Sequence, residues 1–510
     1  MRNKLILFTL ITALGVTAAS KVSAQEPDLS FGTNGRVYTS FGSFSSFCHG
    51  MILLPDEKIV SVGNNTNTTL AILISRHNAD GTPDNSFNST GTKRIDFGSA
   101  YEFCYSVLAQ SDNKLVLAGS SNGNAALARL LPDGDFDDSF SDDGKVTLSF
   151  GVGNGSAFQK IILQPDGKII AIGEAYNTSS FDFAVARFDS NGSVDASFGT
   201  DGKTTVNFNN FNDFGRNAVL QSDGKIVIVG AAKNSNGNSS IALLRLNADG
   251  SPDNTFGTAG KTTATISGLA DDYAESVAIV ENDKIVIGGY TAGNFLLMRY
   301  NTNGTPDNSF GSNGYTITDF DDFQDKAYSL LVDNTGSIYL SGHGYETGNG
   351  GLFHFAVAKY NSNGFPDNTF DSDGKMTIVM GADGSTIFDM AIQPDGKLLF
   401  GGQSTNIAGG LTDFALLRLA NSTTGIADIP WVKDEVVLYP NPASDYIVLL
   451  NSASLGKGLI KIYDTQGHLV LQTSTGGSSC KTDISALPAG LYHLSHSNQQ
   501  ATRSFTFIKK

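Results

Sequence analysis

Short apolar runs, broken by Asp-Gly, Asn-Gly and Pro-Asp pairs, cover most of this chain and predict β-strands joined by tight turns. One stretch occurs seven times, most cleanly as Leu163–Gly173, LQPDGKIIAIG, with relatives LLPDEKIVSVG, AQSDNKLVLAG, LQSDGKIVIVG, IVENDKIVIGG, LVDNTGSIYLSG and IQPDGKLLFGG. Asp bonds its own backbone and Gly tolerates positive φ, so Asp166-Gly167 makes a turn. The run after it is apolar at consecutive positions and rich in β-branched residues, which predicts a strand buried on both faces. The turn lysines Lys58, Lys114, Lys168, Lys225 and Lys284 are spaced 56, 54, 57 and 59 residues apart, and Ser337 and Lys397 hold the same place in the last two copies. Each copy carries four strand-like runs. In the third they are Lys145–Phe150, Phe158–Gln164, Lys168–Gly173 and Phe181–Phe188.

Four short antiparallel strands repeated seven times predict an all-β fold, a seven-bladed β-propeller of four-stranded blades over residues 25–420. A lone blade cannot bury both faces, whereas a ring of neighbours can. An open β-solenoid is the alternative, but its coils take fewer strands. Between copies lies a second motif, PDLSFGTNG at Pro27–Gly35, then PDNSF, FDDSF, VDASFGTDG, PDNTFGTAG, PDNSFGSNG and PDNTFDSDG. These two motifs resemble the delta-60 repeat family of secreted bacterial proteins. That resemblance implies tandem repeats on exported chains and no established activity. The sixth copy departs most, with Ser337 for Lys and Lys359 for Arg.

The ends of the chain read differently. Residues 1–24 have a basic start (Arg2, Lys4), an apolar core and the small-residue site Val22-Ser23-Ala24, the pattern of a secretory signal peptide. Its apolar core falls short of the ~20 residues that span a bilayer. Residues 421–435, with the single tryptophan Trp431, read as a linker. From 436 to 510 the stretches LYPNPASDYIVLL, IYDTQGHLVLQ, DISALPAGLYHLS and FTFIKK resemble the C-terminal sorting domain of type IX secretion. The resemblance implies a small Ig-like β-sandwich that engages the secretion machinery at the outer membrane. It also implies display at the surface of a Gram-negative cell, often after cleavage. An Ig-like binding module is the competing reading.

Composition narrows the function. Charged residues make up 16% of the chain, and the formal net charge is −16. Such a balance disfavours a nucleic-acid or anionic-membrane partner. It fits a soluble secreted protein and weakly allows cations or basic surfaces as ligands; the extracellular partner expected of an exported module is a glycan or another protein.

Residues shared by every copy build the fold rather than mark one site. Arg76, Arg129, Arg187, Arg245, Arg299, Lys359 and Arg418 recur in the fourth run, ahead of aspartates such as Asp195, Asp253 and Asp307. A cation on a buried strand needs a partner, so Arg187 is expected to pair with Asp195 and its counterparts likewise. Pro27–Gly35 has no fourth run before it. It is therefore expected to dock beside Leu416–Leu419 and close the ring.

Strand alternation places the first–second and third–fourth connections on one face, and these vary where the other two connections are uniform. That variable face is the expected binding face. Tyr101, Phe211 and Tyr273 on it suit stacking on a ligand, with Asp271, Asp272, Asp321 and Asp322 beside them. Asp271, Asp272, Asp319, Asp321, Asp322 and Asp325 also make a weak calcium site; otherwise no cofactor is implied. Phe47, Phe103, Phe158, Phe214 and Phe388 begin the second runs and read as core.

Catalytic signatures are poor, and the chain reads as non-catalytic. Gly119–Gly123 matches GxSxG without the strand–turn–helix setting that strains a nucleophile. His343 and His354 flank one hairpin but lack a third metal ligand. Cys48 and Cys104 occupy equivalent places in adjacent copies; export permits a disulfide between them, and two buried thiols are the alternative. The alternatives to a binding or adhesion module are a surface hydrolase or lyase acting on glycan, and a structural surface-layer protein. The enzyme would need an unrepeated cluster of acids, His or Tyr at the channel mouth.

Overall fold

A computed structural model describes residues 25–66, 70–99, 101–151, 155–268, 271–320, 324–346, 351–381, 384–405, 410–420, 436–439, 443–451, 458–464, 468–475, 479–498 and 502–510. The signal-peptide reading of residues 1–24, the linker with Trp431, and Asp321 and Asp322 lie outside these. The chain divides into two compact units, residues 1–422 and 423–510. No described helix is long and apolar enough to cross a membrane.

The first unit holds seven four-stranded antiparallel sheets. In one, Ser156–Leu163 is the inner strand, followed outward by Ile169–Tyr176, Phe181–Phe188 and Lys203–Val206. Each inner strand contacts those on either side, and Ser46–Leu53 meets both Glu102–Ala109 and Ser385–Ile392, so the seven sheets form a closed ring. Blade and sequence repeat are out of phase by one strand. The run that begins the third copy, Lys145–Leu148, is the outer strand of the second blade. The PDxSF crossing carries the chain from third to outer strand of one blade, and the chain then drops into the next blade's inner strand.

Both faces of the middle strands are buried, as their unbroken apolar runs require. Ile169 and Ala171 pack with Leu127 and Phe140 of the preceding blade, while Ile170 and Ile172 pack with Ile226, Ile228 and Leu244 of the following one. Each such side chain contributes about 1.5–3 kcal/mol by leaving water, and only in the presence of a neighbour.

A repeated clasp ties each blade to the next. Arg187 Nε lies 2.6 Å from Asp195 Oδ2, and Lys168 Nζ 2.8 Å from the same oxygen. Ser197 donates its backbone N–H and its hydroxyl to Asp195 Oδ1. The Arg187 guanidinium stacks 4.9 Å from the Phe198 centroid and donates to the Ala248 carbonyl of the next blade. Burial pushes the Asp195 carboxyl up, but the Lys168, Ser197 and Arg187 donors outweigh it and hold the acid well below the usual carboxylate range. The same ion pair joins Arg76 to Asp84, Arg129 to Asp137, Arg245 to Asp253 and Arg299 to Asp307. In the sixth blade Lys359 reaches Asp367 at 2.8 Å in place of arginine.

At the seam the clasp is made between the two ends of the repeat region. Arg36–Thr39 supplies the outer strand of the blade formed by Ser385–Ile392, Leu398–Thr405 and Thr412–Arg418. Arg418 Nε lies 2.9 Å from Asp28, Lys397 reaches the same carboxylate at 3.1 Å, and Phe31 is fully buried. Cys48 and Cys104 are free, buried thiols.

The second unit packs a three-stranded sheet (Val436–Tyr439, Tyr446–Asn451, Ser479–Asp483) with a four-stranded one around Ile447, Leu449, Ile460, Ile462, Leu494 and Phe507. Seven strands in two sheets sharing one core make a small β-sandwich.

Candidate functional site

Every inner strand carries a β-bulge at the same place. Pairing with the second strand skips one residue between Cys48 and Gly50, Cys104 and Ser106, Phe158 and Lys160, Gly215 and Asn217, Ala274 and Ser276, Ala327 and Ser329, and Ile387 and Asp389. A bulge frees one residue from the ladder and re-aims its side chain. The second strand makes room with a glycine. A Cβ on Gly173 would sit 2.0 Å from the Ala157 carbonyl oxygen, and one on Gly63, 1.8 Å from that of Phe47.

The seven re-aimed residues are His49, Tyr105, Gln159, Arg216, Glu275, Tyr328 and Phe388. The clasp aspartate, the phenylalanine three residues after it and the second-strand glycine are the same in all seven repeats; here the repeats carry six different side chains. All seven border one cavity of about 500 Å3 on the propeller axis. Each also lies nine residues before the turn lysine, or Ser337 in the sixth copy. A second unrepeated column follows the second-strand glycine and includes Asn64, Glu174, Tyr290 and His343.

The cavity has two unlike walls. Blades two, one, seven and six give an aromatic arc: Tyr105 lies 5.4 Å from His49, His49 5.7 Å from Phe388, Phe388 5.0 Å from Tyr328, and Tyr328 5.6 Å from His343. Burial lowers the His49 imidazole to about 4 against the pull of its bond to Asn64, so the ring is neutral at neutral pH. Burial likewise pushes the Tyr105 hydroxyl up to about 12.

Blades three, four and five supply hydrogen-bonding groups. Gln159 donates to Glu174 Oε1 at 2.9 Å, and Arg216 Nε stands 4.0 Å from Glu275 Oε2. Arg216 Nε and Glu174 Oε2 are buried and have no hydrogen-bond partner. Burial raises both glutamate carboxyls, with Arg216 pulling the other way. Asp389, held by Ser329 and the Met51 amide, completes the floor.

Above this cavity, toward the variable face, a second one is lined by Asp271, Tyr273, Tyr290, Lys326, His343 and Phe353. Tyr290 borders both and stacks on Tyr273 at 5.0 Å.

Of the residues singled out from sequence, Tyr273 and Asp271 line the upper cavity, and Asp271 also accepts the Ser239 amide. Tyr101 and Phe211 stand exposed on the rim and border neither cavity. Asp272 is not offered to a ligand. It is fully buried and accepts the Ile266 amide and the Thr291 hydroxyl. Asp325 is likewise buried, accepts the Phe320 and Tyr345 amides, and is pushed up to about 6 by burial. Both open their inner strands and pin the loop above, as Glu102 does with the Phe97 amide and Asp213 with Phe208. A calcium site loses these two oxygen donors, and among the described residues no three His, Cys, Asp or Glu side chains come together to hold a metal.

The aromatics grouped as core also separate. Phe158 is fully buried, whereas Phe388 is a bulge residue in the channel. His343 is buried against Phe353 at 4.5 Å and bonded to Thr386, not paired with His354.

Fold and channel define the class: a closed seven-bladed β-propeller with an unrepeated polar and aromatic axial cavity. Residues 54–87, 110–140, 164–198, 221–256, 281–310, 334–370 and 393–422 match the family described as "Domain of unknown function (DUF5122) beta-propeller". Residues 437–510 match "Secretion system C-terminal sorting domain". The chain therefore carries seven repeats of that propeller family and a type IX sorting domain. The sorting domain directs it to the cell surface or extracellular space and implies contact with the secretion machinery.

No curated protein matches the chain. PorZ, an essential surface component of the type-IX secretion system of Porphyromonas gingivalis, is 11% identical with a TM-score of 0.41, over 90% of this chain and 59% of PorZ. The chain thus spans 59% of the length of PorZ. A Dyadobacter fermentans protein of unknown function is 13% identical with a TM-score of 0.38, over 76% and 99% of the two chains. Polysaccharide lyase Uly1 is 10% identical with a TM-score of 0.44, over 80% and 95%. These likenesses are distant and assign no activity.

Proposed function

We propose that the exported propeller is a non-catalytic binding or adhesion module, and that its extracellular ligand, a glycan or a protein, enters the axial channel. One observation carries this reading. The clasp aspartate, its following phenylalanine and the second-strand glycine that build the ring recur in every blade, while the bulge residues that border the channel differ. A fold of repeats has no structural need for that variety; recognition of an asymmetric ligand does. The test is a glycan and protein array probed with the mature propeller, with and without calcium. Saturable binding without turnover supports the module.

A surface hydrolase or lyase acting on glycan is the second reading. It is favoured by the unrepeated acids, His49 and tyrosines around the cavity, and by Glu174 and Glu275 carboxyls raised toward the range where an acid can carry a proton. Release of product from an array hit decides for it. Silence on every probe decides for a structural surface-layer element.

A further inference from the structure

We infer that the channel takes the end of a neutral carbohydrate chain, whose sugar faces lie on the aromatic arc and whose hydroxyls meet Arg216, Glu275 and Gln159. The inference rests on the binding reading above and names the ligand class for that site.

The two walls suit a sugar ring. A pyranose presents C–H faces to aromatic rings and hydroxyls around its edge. Tyr328, Phe388 and His49 offer neutral ring faces on one side. On the other, Arg216 is donor-only and Glu275 accepts, and the two groups are 4.0 Å apart. Adjacent hydroxyls on one sugar, each able to donate and accept, satisfy such a pair together. The buried Arg216 Nε makes no hydrogen bond within the protein and is a donor that a hydroxyl would use.

The charges argue for a neutral ligand. Arg216 and Lys160 border the cavity with the carboxylates Glu275 and Asp389, and Glu174 stands behind Gln159. An anionic ligand meets these acids, and a cationic one meets Arg216 between the two glutamates. An extended peptide is disfavoured for another reason. It would add to a strand edge by main-chain bonds, and a bulge interrupts the inner edge of all seven blades. Tyr290, shared by both cavities, carries the path out to the variable face, so the chain can extend beyond the sugar that is held.

The test uses the mature propeller, with binding measured to four neutral oligosaccharides (cellotetraose, mannotetraose, xylotetraose, chitotetraose), to tetragalacturonate and to a random decapeptide pool. Saturable binding to at least one neutral probe is expected. It should weaken about tenfold or more in Tyr290→Ala and in the near-isosteric Glu275→Gln, the scale of one lost stacking or polar contact. Tyr101→Ala on the rim should bind as the parent does, and unchanged melting curves show that the variants fold. Preference for tetragalacturonate or peptide overturns the sugar assignment and leaves the binding module standing. So does neutral-sugar binding that both channel variants leave intact. No binding to any probe removes both.

Discussion

The ring seam offers the sharpest stability prediction. Six of the seven clasps join residues eight apart in the chain, such as Arg187 and Asp195, but the seventh joins Asp28 to Arg418. Asp28→Ala leaves Arg418 and Lys397 without their shared carboxylate at a site where the Arg418 side chain is only 8% exposed. Removing one partner of a buried pair is expected to cost about 3–5 kcal/mol. About 2.1 cal/mol/K of unfolding entropy per residue over roughly 400 residues gives about 0.8 kcal/mol/K, so the Tm should fall by roughly 4–6 °C. Asp195→Ala breaks an equivalent clasp inside one blade and should lower the Tm by a similar amount. The two variants differ in what opens. Hydrogen exchange across Arg36–Thr39, the strand that depends on the seam, should speed up in Asp28→Ala and stay slow in Asp195→Ala. Calorimetry with exchange mass spectrometry reads both. An unchanged Tm in Asp28→Ala, or equal exchange at that strand in the two variants, would refute the seam as the point of closure.

Gly173→Ala drives a Cβ to 2.0 Å from the Ala157 carbonyl and should cost about 3 kcal/mol or more, whereas Gly167→Ala, in a positive-φ turn where the new Cβ meets only the Ser190 Cβ at 3.9 Å, should cost about 1 kcal/mol; thermal melts that reverse this order would contradict the bulge. On pH, the clasp aspartates have folded values below their unfolded ones, so their stabilisation is complete above pH ~5 and is lost as pH falls through the acid range. Asp213 runs the other way: burial lifts its carboxyl to about 7, so its ionisation erodes stability as pH rises from about 4 to 7. Asp213→Asn should therefore raise the Tm relative to the parent at pH 8 and change it little at pH 4, and equal shifts at both would contradict the assignment.

The fold was largely legible because its signals are local. Asp-Gly turns and doubly apolar runs such as Lys168–Gly173 mark the same strand pair in each copy, and the unpaired Pro27–Gly35 motif points to the seam. The site was less legible because a bulge shifts strand periodicity by one without any mark in the hydrophobic pattern. Phe158 and Phe388 both read as core aromatics near a strand start, yet Phe158 is the paired residue just before its bulge and lies in the core, while Phe388 is the bulged residue itself and borders the channel. Asp272 and Asp325 read as loop acids, but burial at the strand start turns them onto backbone amides. The missed signal was a column. Aligned on the turn lysine, the ninth residue upstream carries six different side chains, although the turn, glycine and clasp positions around it recur.

The proposed ligand of the propeller sits in the channel rather than on the repeated outer face. Hydrogen exchange of the mature propeller with a saturating array hit measures this directly. Protection confined to residues 214–217, 273–276 and 288–291, with 327–330 beside them, is the predicted result. Protection over the Asp-Gly-Lys turns and clasp loops, with the bulges unchanged, would contradict it.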